Sequence, residues 1–240
     1  MGETVKRIDA KEKTAPALSR AQRARLTRRR IIAAATDLFI ERGYGGTMLD
    51  QVADRAGVAV QTVYFHFGNK ATLLKEALDV AAVGDDEPVP LLERPWLDRL
   101  KAEPDPVEII GLWVANSRSI MHRVAPIMTV IRGSIGTDPD LAAQWRTNEG
   151  QRRTAYRALA QILADRGTLK PGLTVEEAAE LAFLIESVEN YFLATATLGW
   201  SPERWQRTMI SLLATTLLAP TPANRLPGSR EVDHDPPPDL

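Results

Sequence analysis

The segment that decides the fold runs from residue 47 to residue 74 and reads TMLDQVADRAGVAVQTVYFHFGNKATLL. Its first half has apolar residues at the i, i+3, i+4 and i+7 spacing of an amphipathic helix: Leu49, Val52, Ala53 and Ala56. We expect Thr47 to be the N-cap of this helix and Gly57 to end it. A second short helix is predicted from residue 61 to residue 67. Helices this short are marginal alone, so the segment predicts tight packing against neighbouring helices.

The neighbours are predicted on both sides of this segment. A helical pattern starts near residue 24 and carries its apolar face on Ile31, Ile32, Ala35, Leu38 and Phe39. A fourth helix is predicted to begin near Asn69. Two short helices joined at a glycine and packed on a third form a helix-turn-helix, in which the last helix enters the major groove of DNA.

The same residues resemble the signature of the TetR family of transcriptional regulators. The matching positions are Thr47, Val52, Ala53, Ala56, Gly57, Val58, Thr62, Tyr64, His66, Phe67, Lys70 and Leu73. The resemblance is strong over 31–78 and fades beyond, and Ala59 stands where a serine is common. It implies an all-α fold, with an N-terminal three-helix helix-turn-helix domain and a larger C-terminal helical domain for ligand binding and dimerisation.

Side-chain chemistry assigns roles at the DNA. The expected contacts are Thr47, Val60, Gln61, Thr62, Tyr64, Phe65, His66, Lys70 and Arg28. Hydroxyls and the Lys70 ammonium suit phosphate oxygens, while Gln61 suits an adenine edge, and Val60 and Phe65 suit a thymine methyl. The resemblance implies a phosphate contact for His66. Taken singly, these residues could instead belong to an ordinary surface, and His66 could be a structural histidine.

The charge distribution supports a nucleic-acid partner despite a formal net charge of −1 over 240 residues. Residues 19–30 read SRAQRARLTRRR, with six arginines and no acid. We expect residues 1–23 to form a disordered basic arm, and the arginines from Arg20 to Arg30 to reach phosphate or the minor groove. The alternative is a solvated tail without a DNA contact.

The rest of the chain is predicted to be helical. A helix-turn-helix domain is expected over 24–82, a Pro-rich linker with one helical turn near Trp96 over 83–105, and an effector-binding and dimerisation domain over 106–219. Its predicted helices span 106–122, 125–135, 139–166, 174–198 and 202–218, and the tail 220–240 is predicted to be disordered. The chain has no cysteine, no signal-peptide pattern and no apolar run of about 20 residues. We therefore expect a cytoplasmic protein without a membrane partner, metal or cofactor.

Two sets of residues are predicted to serve the C-terminal domain. Candidates for an effector cavity are Trp113, Met121, Met128, Trp145, Tyr156, Glu186 and Asn190, although aromatic and Met stripes are also typical of plain core. The resemblance implies that the last two helices pair with a second copy. Candidates for that interface are Leu181, Leu184, Ile185, Val188, Phe192, Trp205, Met209 and Leu213.

These expectations combine into one function and two alternatives. The resemblance implies a dimeric repressor that a small-molecule effector releases from a palindromic operator. No Gly-rich phosphate loop or Ser/His/Asp arrangement indicates an enzyme, and the three histidines lack metal-site spacing. The alternatives are a TetR-like protein that acts by protein–protein binding, and a ligand carrier or enzyme that uses a C-terminal cavity.

Overall fold

The computed structural model describes residues 19–84, 89–136 and 138–220. Within these ranges the chain is helical and holds no β-strand, apart from one isolated antiparallel bridge between Leu169 and Leu218. The all-α fold class predicted from the sequence is therefore confirmed. Most of the predicted disorder, in residues 1–18 and 221–240, lies outside the described residues.

Four helices form the N-terminal bundle, and local capping sets their ends. They are α1 (Arg20–Arg42), α2 (Leu49–Ala56), α3 (Val60–Phe67) and α4 (Lys70–Val83). Ser19 caps α1 through a reciprocal bond pair with Gln22, and Asn69 caps α4 by accepting from the Thr72 amide. Because α1 begins at Arg20, the expectation that residues 20–23 belong to a disordered arm is wrong.

The turn between α2 and α3 depends on one glycine. Gly57 has φ +64° and ψ +46°, in the left-handed region that favours glycine. A Cβ at this position would lie 2.8 Å from Nη2 of Arg30. Both observations fit a sharp turn against which Arg30 of α1 packs closely.

Six further helices form the C-terminal bundle. They are α5 (Pro95–Ala102), α6 (Pro106–Ser134), α7 (Pro139–Asp165), α8 (Val175–Ile185), α9 (Val188–Phe192) and α10 (Pro202–Leu217), with a π-helical turn at Leu193–Thr197. Helix α6 continues through Pro126, where two helices were predicted. The segment predicted to be a linker contains α5, whose Leu97 and Leu100 are buried in the core, so it packs as part of this bundle.

The helix predicted over 174–198 is broken at Glu186. The side-chain amide nitrogen of Asn190 donates to the backbone carbonyls of Leu184 (2.8 Å) and Ile185 (3.2 Å), which lie in the last turn of α8. The hydroxyl of Ser187 then caps α9 by accepting from the backbone N–H of Asn190. Side chains thus satisfy the backbone groups that the break sets free, which a periodicity argument does not detect.

The two bundles pack along α4, α6 and α7. At the end of α4, the Arg123 guanidinium on α6 donates to the carbonyls of Ala81 (2.7 Å) and Ala82 (3.1 Å). At its start, the Gln144 amide on α7 donates to the carbonyl of Ala71 at 3.1 Å. Both ends of α4 are therefore held by the C-terminal bundle. None of the helices in the described ranges is long and apolar enough to cross a bilayer.

Candidate nucleic-acid interface

Helix α3 is anchored by one face and presents the other. Val63 and Phe67 are buried against the bundle core, one turn apart. Arg30 of α1 donates to the carbonyl of Ala56, and to that of Gly57 at 3.2 Å, at the entrance to α3. These contacts fix the direction in which α3 leaves the turn.

The outward face of α3 carries Gln61 and Phe65, which were predicted to contact base edges, and Tyr64, which was predicted to contact phosphate. The third residue predicted for a base edge, Val60, does not lie fully on this face. Gln61 is exposed, Tyr64 is 54% exposed and Phe65 is 84% exposed. Val60, Thr62 and His66 are half-buried at its margins. Burying a phenylalanine side chain is worth about 1.5–3 kcal/mol. A phenylalanine this exposed on a helix held so firmly indicates a surface that is covered by a partner.

Thr47 does not belong to this surface. It is completely buried, and its hydroxyl lies 2.8 Å from the Gly43 carbonyl and 3.1 Å from the Leu38 carbonyl. The N-cap position of α2 is Met48 rather than Thr47. The predictions of an N-cap and a phosphate contact for Thr47 are therefore wrong, because the hydroxyl ties the end of α1 to the following loop.

Lys70 also faces inward. Its Nζ donates to the carbonyls of Tyr44 (2.8 Å) and Thr47 (3.0 Å) and lies 4.3 Å from the centroid of the Tyr44 ring. Burial lowers the pKa of this ammonium from its ordinary value. The structure thus gives Lys70 the role of fixing the loop before α2, instead of the predicted phosphate contact.

The basic residues of α1 divide into two kinds. Arg28 pairs with Glu76 of α4 and lies over the Phe67 ring, 5.7 Å from its centroid. The predicted DNA contact of Arg28 is therefore corrected, because its guanidinium pairs with an acid of the same bundle. The guanidinium of Arg30 is likewise bound within the bundle, to backbone carbonyls. Arg20 and Arg23, in contrast, are exposed on the first turns of α1.

Of the seven predicted effector residues, three lie together around Glu186, and the other four lie elsewhere. Trp113 of α6 and Tyr156 of α7 have ring centroids 5.4 Å apart, and Nε1 of Trp113 donates to Oε2 of Glu186 at 2.8 Å. Met121 and Met128 are buried elsewhere along α6, and Trp145 is half-buried. Asn190 is exposed and caps α8, so its predicted place among the polar groups of a cavity is wrong.

Glu186 is the most unusual acid among the described residues. It is fully buried, and Ser117 is a second, longer donor to Oε2 at 3.4 Å. Its Oε1 has no hydrogen-bond partner in the described part of the chain. Burial raises the pKa of Glu186 to about 7, although the bonds from Trp113, Tyr156 and Ser117 and the charge of Arg152 oppose the shift. A buried carboxyl with one unused oxygen is suited to a donor group on a ligand.

Four of the eight residues predicted for the dimer interface are buried in the core, and the other four are partly or largely exposed. Val188, Trp205, Met209 and Leu213 are buried within their own chain, so their assignment to an interface is wrong. Leu184 is 64% exposed, while Leu181, Ile185 and Phe192 are half-buried. Three further leucines, which are not among the predicted interface residues, are also about half exposed: Leu193, Leu198 and Leu212. They stand next to the apolar stripe in the sequence pattern, so the stripe alone does not distinguish them.

Comparisons with known proteins identify the family. The model of the bacterial regulatory proteins of the tetR family matches residues 31–77. YdeS of Bacillus subtilis (strain 168), an uncharacterised HTH-type transcriptional regulator, is 27% identical over 158 residues, which cover 65% of this chain and 74% of YdeS.

Solved structures of two transcriptional regulators share this fold. Native NalD, the secondary repressor of the MexAB-OprM multidrug efflux pump in Pseudomonas aeruginosa, has a TM-score of 0.61 and 23% identity, and covers 80% of this chain and 96% of NalD. FadR from Bacillus subtilis, in complex with stearoyl-CoA, has a TM-score of 0.63 and 20% identity, and covers 77% of this chain and 96% of FadR. Residues 31–77 thus match the tetR family of bacterial regulatory proteins, and together with the curated HTH-type relative this supports a DNA-binding transcriptional regulator of that family.

Proposed function

We propose that this regulator is a dimeric repressor that leaves a palindromic operator when a small molecule binds its C-terminal bundle. The observation that carries the DNA-binding part is the outward face of α3, with Gln61, Tyr64 and Phe65 exposed on a helix whose inner face is buried. Repression is inferred from relatives such as NalD. We further propose a cytoplasmic location, since the target is genomic DNA.

The proposed dimer face lies on the last helices of the C-terminal bundle. Leu184 of α8, Leu193 and Leu198 after α9, and Leu212 of α10 are each 45–64% exposed. Exposed apolar side chains concentrated on consecutive elements are typical of a protein interface. A two-fold dimer matches a palindromic operator, whose half-sites lie about 34–36 Å apart, one turn of DNA.

The proposed effector site lies at Glu186. Rings from four helices converge there, with centroid distances of 5.7 Å for Trp96 and Trp113, 5.4 Å for Trp113 and Tyr156, and 5.8 Å for Tyr156 and Phe183. An effector with an aromatic or aliphatic body and one hydrogen-bond donor would suit this environment, with the donor on Oε1. The stearoyl-CoA complex of FadR supports a ligand in a protein of this fold.

The route from effector to DNA is proposed to follow α6. This helix carries Trp113 and Ser117 beside Glu186, and Arg123 at the end of α4. A ligand that shifts α6 would move α4 and with it the whole N-terminal bundle. Release requires that the ligand bind more tightly to the conformation that fits DNA poorly.

The test starts with selection of genomic fragments by the purified protein, followed by binding measurements on the enriched site. We expect a palindrome, and a loss of affinity of about tenfold or more in Phe65→Ala, with unchanged thermal stability because the side chain is exposed. Gln161→Ala, an exposed substitution on α7, is the control and should bind like wild type. Sequence-blind binding, or equal affinity in Phe65→Ala, would reject the proposal and favour a protein-binding role.

A further inference from the structure

A groove of about 280 Å³ separates α4 of the N-terminal bundle from α7 of the C-terminal bundle. Its wall on α7 carries three polar residues, Asp140, Gln144 and Asn148, at successive i, i+4 positions. Facing helices normally close such a gap with apolar side chains. Here the gap is open, and several polar side chains line it beside apolar ones.

The α7 wall forms a row of acceptors. The Gln144 amide nitrogen donates to the carbonyl of Ala71, which fixes the orientation of that amide. Its Oε1, and Oδ1 of Asn148, are both buried and have no hydrogen-bond partner among the described residues. Residues four apart on a helix lie about 5–6 Å from each other. The row therefore holds one exposed carboxylate and two unpartnered amide oxygens at regular spacing along α7.

The α4 wall does not neutralise this row. Its one cation, Lys75, forms an i, i+4 ion pair with Asp79. The carboxylate of Asp140 is therefore the unbalanced charge of the lining. Leu78 and Ala143 supply an apolar strip between the polar groups. A complementary molecule is thus linear and cationic, with N–H donors separated by short apolar segments.

We propose that this groove is a second ligand site, which binds a short aliphatic polyamine through Asp140, Gln144 and Asn148. Protonated nitrogens separated by a few methylene groups match acceptors four residues apart, about 6 Å along the helix axis. The ligand would contact both bundles at once and fix their relative orientation. This inference does not depend on the effector site at Glu186.

The experiment is a calorimetric titration of the full-length protein with spermidine, without DNA and at about 0.15 M salt, where weak surface attraction is screened. We expect saturable binding to one site per chain, and binding about tenfold weaker or more in Asn148→Leu and in Asp140→Asn. Gln161→Leu on the same helix outside the groove, and Glu186→Gln at the proposed effector site, should bind spermidine like wild type.

Three results would overturn the proposal. They are the absence of saturable heat at millimolar spermidine, equal affinity in wild type and Asp140→Asn, and equal binding of a neutral diol of the same length. Asp140 is exposed, so its variant tests the site even if Asn148→Leu fails to fold. Loss of spermidine binding in Glu186→Gln alone would assign the polyamine to the other site and also reject this one.

Discussion

The hydroxyl of Tyr44 donates a hydrogen bond to the carboxylate of Asp138, with Oη and Oδ2 2.9 Å apart, across 94 residues of sequence. Tyr44 lies in the loop after α1, and Asp138 is the N-cap of α7. The same tyrosine ring lies beneath the ammonium of Lys70 at the start of α4. One side chain therefore connects the loop that precedes the helix-turn-helix to the C-terminal bundle.

Tyr44→Phe keeps the ring under Lys70 and removes only the bond to Asp138. We expect Tyr44→Phe to lower the free energy of unfolding in urea at neutral pH. The double variant Tyr44→Phe/Asp138→Asn should lose less unfolding free energy than the two single variants together. Asparagine still caps a helix, so the second change isolates the same bond. Additive losses would show that the two residues are not coupled.

The same variant has a predicted pH dependence. The bond from Tyr44 is the largest contribution that lowers the pKa of Asp138. A lowered pKa in the folded state stabilises the fold above the ordinary pKa of an aspartate, and this contribution is lost as the pH falls through the lowered value. The difference between wild type and Tyr44→Phe should therefore be present at pH 7 and shrink in acid. A constant difference would contradict this origin.

Glu186→Gln is expected to stabilise the protein above neutral pH. The pKa of Glu186 is raised from 4.5 to about 7, so the folded state holds a proton that the unfolded state releases. Stability from this group is present below pH 4.5 and is lost as the pH rises through 7, a total of about 3 kcal/mol. Urea unfolding of Glu186→Gln should lack this decline. Glu180→Gln, an exposed change on α8, should retain it.

Arg30→Ala should weaken operator binding without removing a phosphate contact. Arg30 holds the carbonyls of Ala56 and Gly57 at the turn, so its loss frees the direction of α3. We expect lower affinity and an unchanged dependence on salt. Arg23→Ala, at an exposed position of α1, serves as the comparison, and loss of one phosphate contact reduces the salt slope by about 0.9. A reduced slope in Arg30→Ala would instead indicate a direct DNA contact.

Leu184→Arg should affect the dimer, whereas Trp205→Ala should affect the stability of the fold. Leu184 is 64% exposed, so arginine there should disrupt the dimer and leave the fold intact, as measured by light scattering and thermal unfolding. Trp205 is fully buried and packs on Tyr191 with ring centroids 5.1 Å apart, so truncation should cost about 3–5 kcal/mol of unfolding free energy. Ile40→Arg, at an exposed position of α1, should change neither the dimer nor the fold. A dimeric Leu184→Arg would contradict the proposed face.

The helix-turn-helix was predictable because local signals determine it. The apolar spacing around Val52 and Ala53, the left-handed glycine at 57 and the buried pair Val63 and Phe67 all act within a few residues. With Val63 and Phe67 buried, the helical period places Gln61, Tyr64 and Phe65 on the outer face, and their side-chain chemistry is what predicted DNA contacts for them.

The polar residues were less predictable, because their partners are distant in sequence. Thr47, Lys70 and Arg28 match a DNA-contacting pattern by chemistry, yet two of them bind backbone carbonyls and the third pairs with Glu76. The break at Glu186 escaped prediction for the same reason, since Asn190 supplies the missing backbone partner. A helical stripe such as that of Trp205 also does not distinguish a chain's own core from an interface.

The clamp of Arg123 on the last carbonyls of α4 has a consequence for protein engineering. A sensor built by joining this N-terminal bundle to the C-terminal bundle of a relative would transfer α4 without the guanidinium that holds Ala81 and Ala82. It would also separate Tyr44 from Asp138. Chimeras should therefore carry an arginine at the position of Arg123 and an acid at that of Asp138. A boundary placed after α4 is thus a boundary in the sequence only, because the contacts of Arg123 and Asp138 cross it.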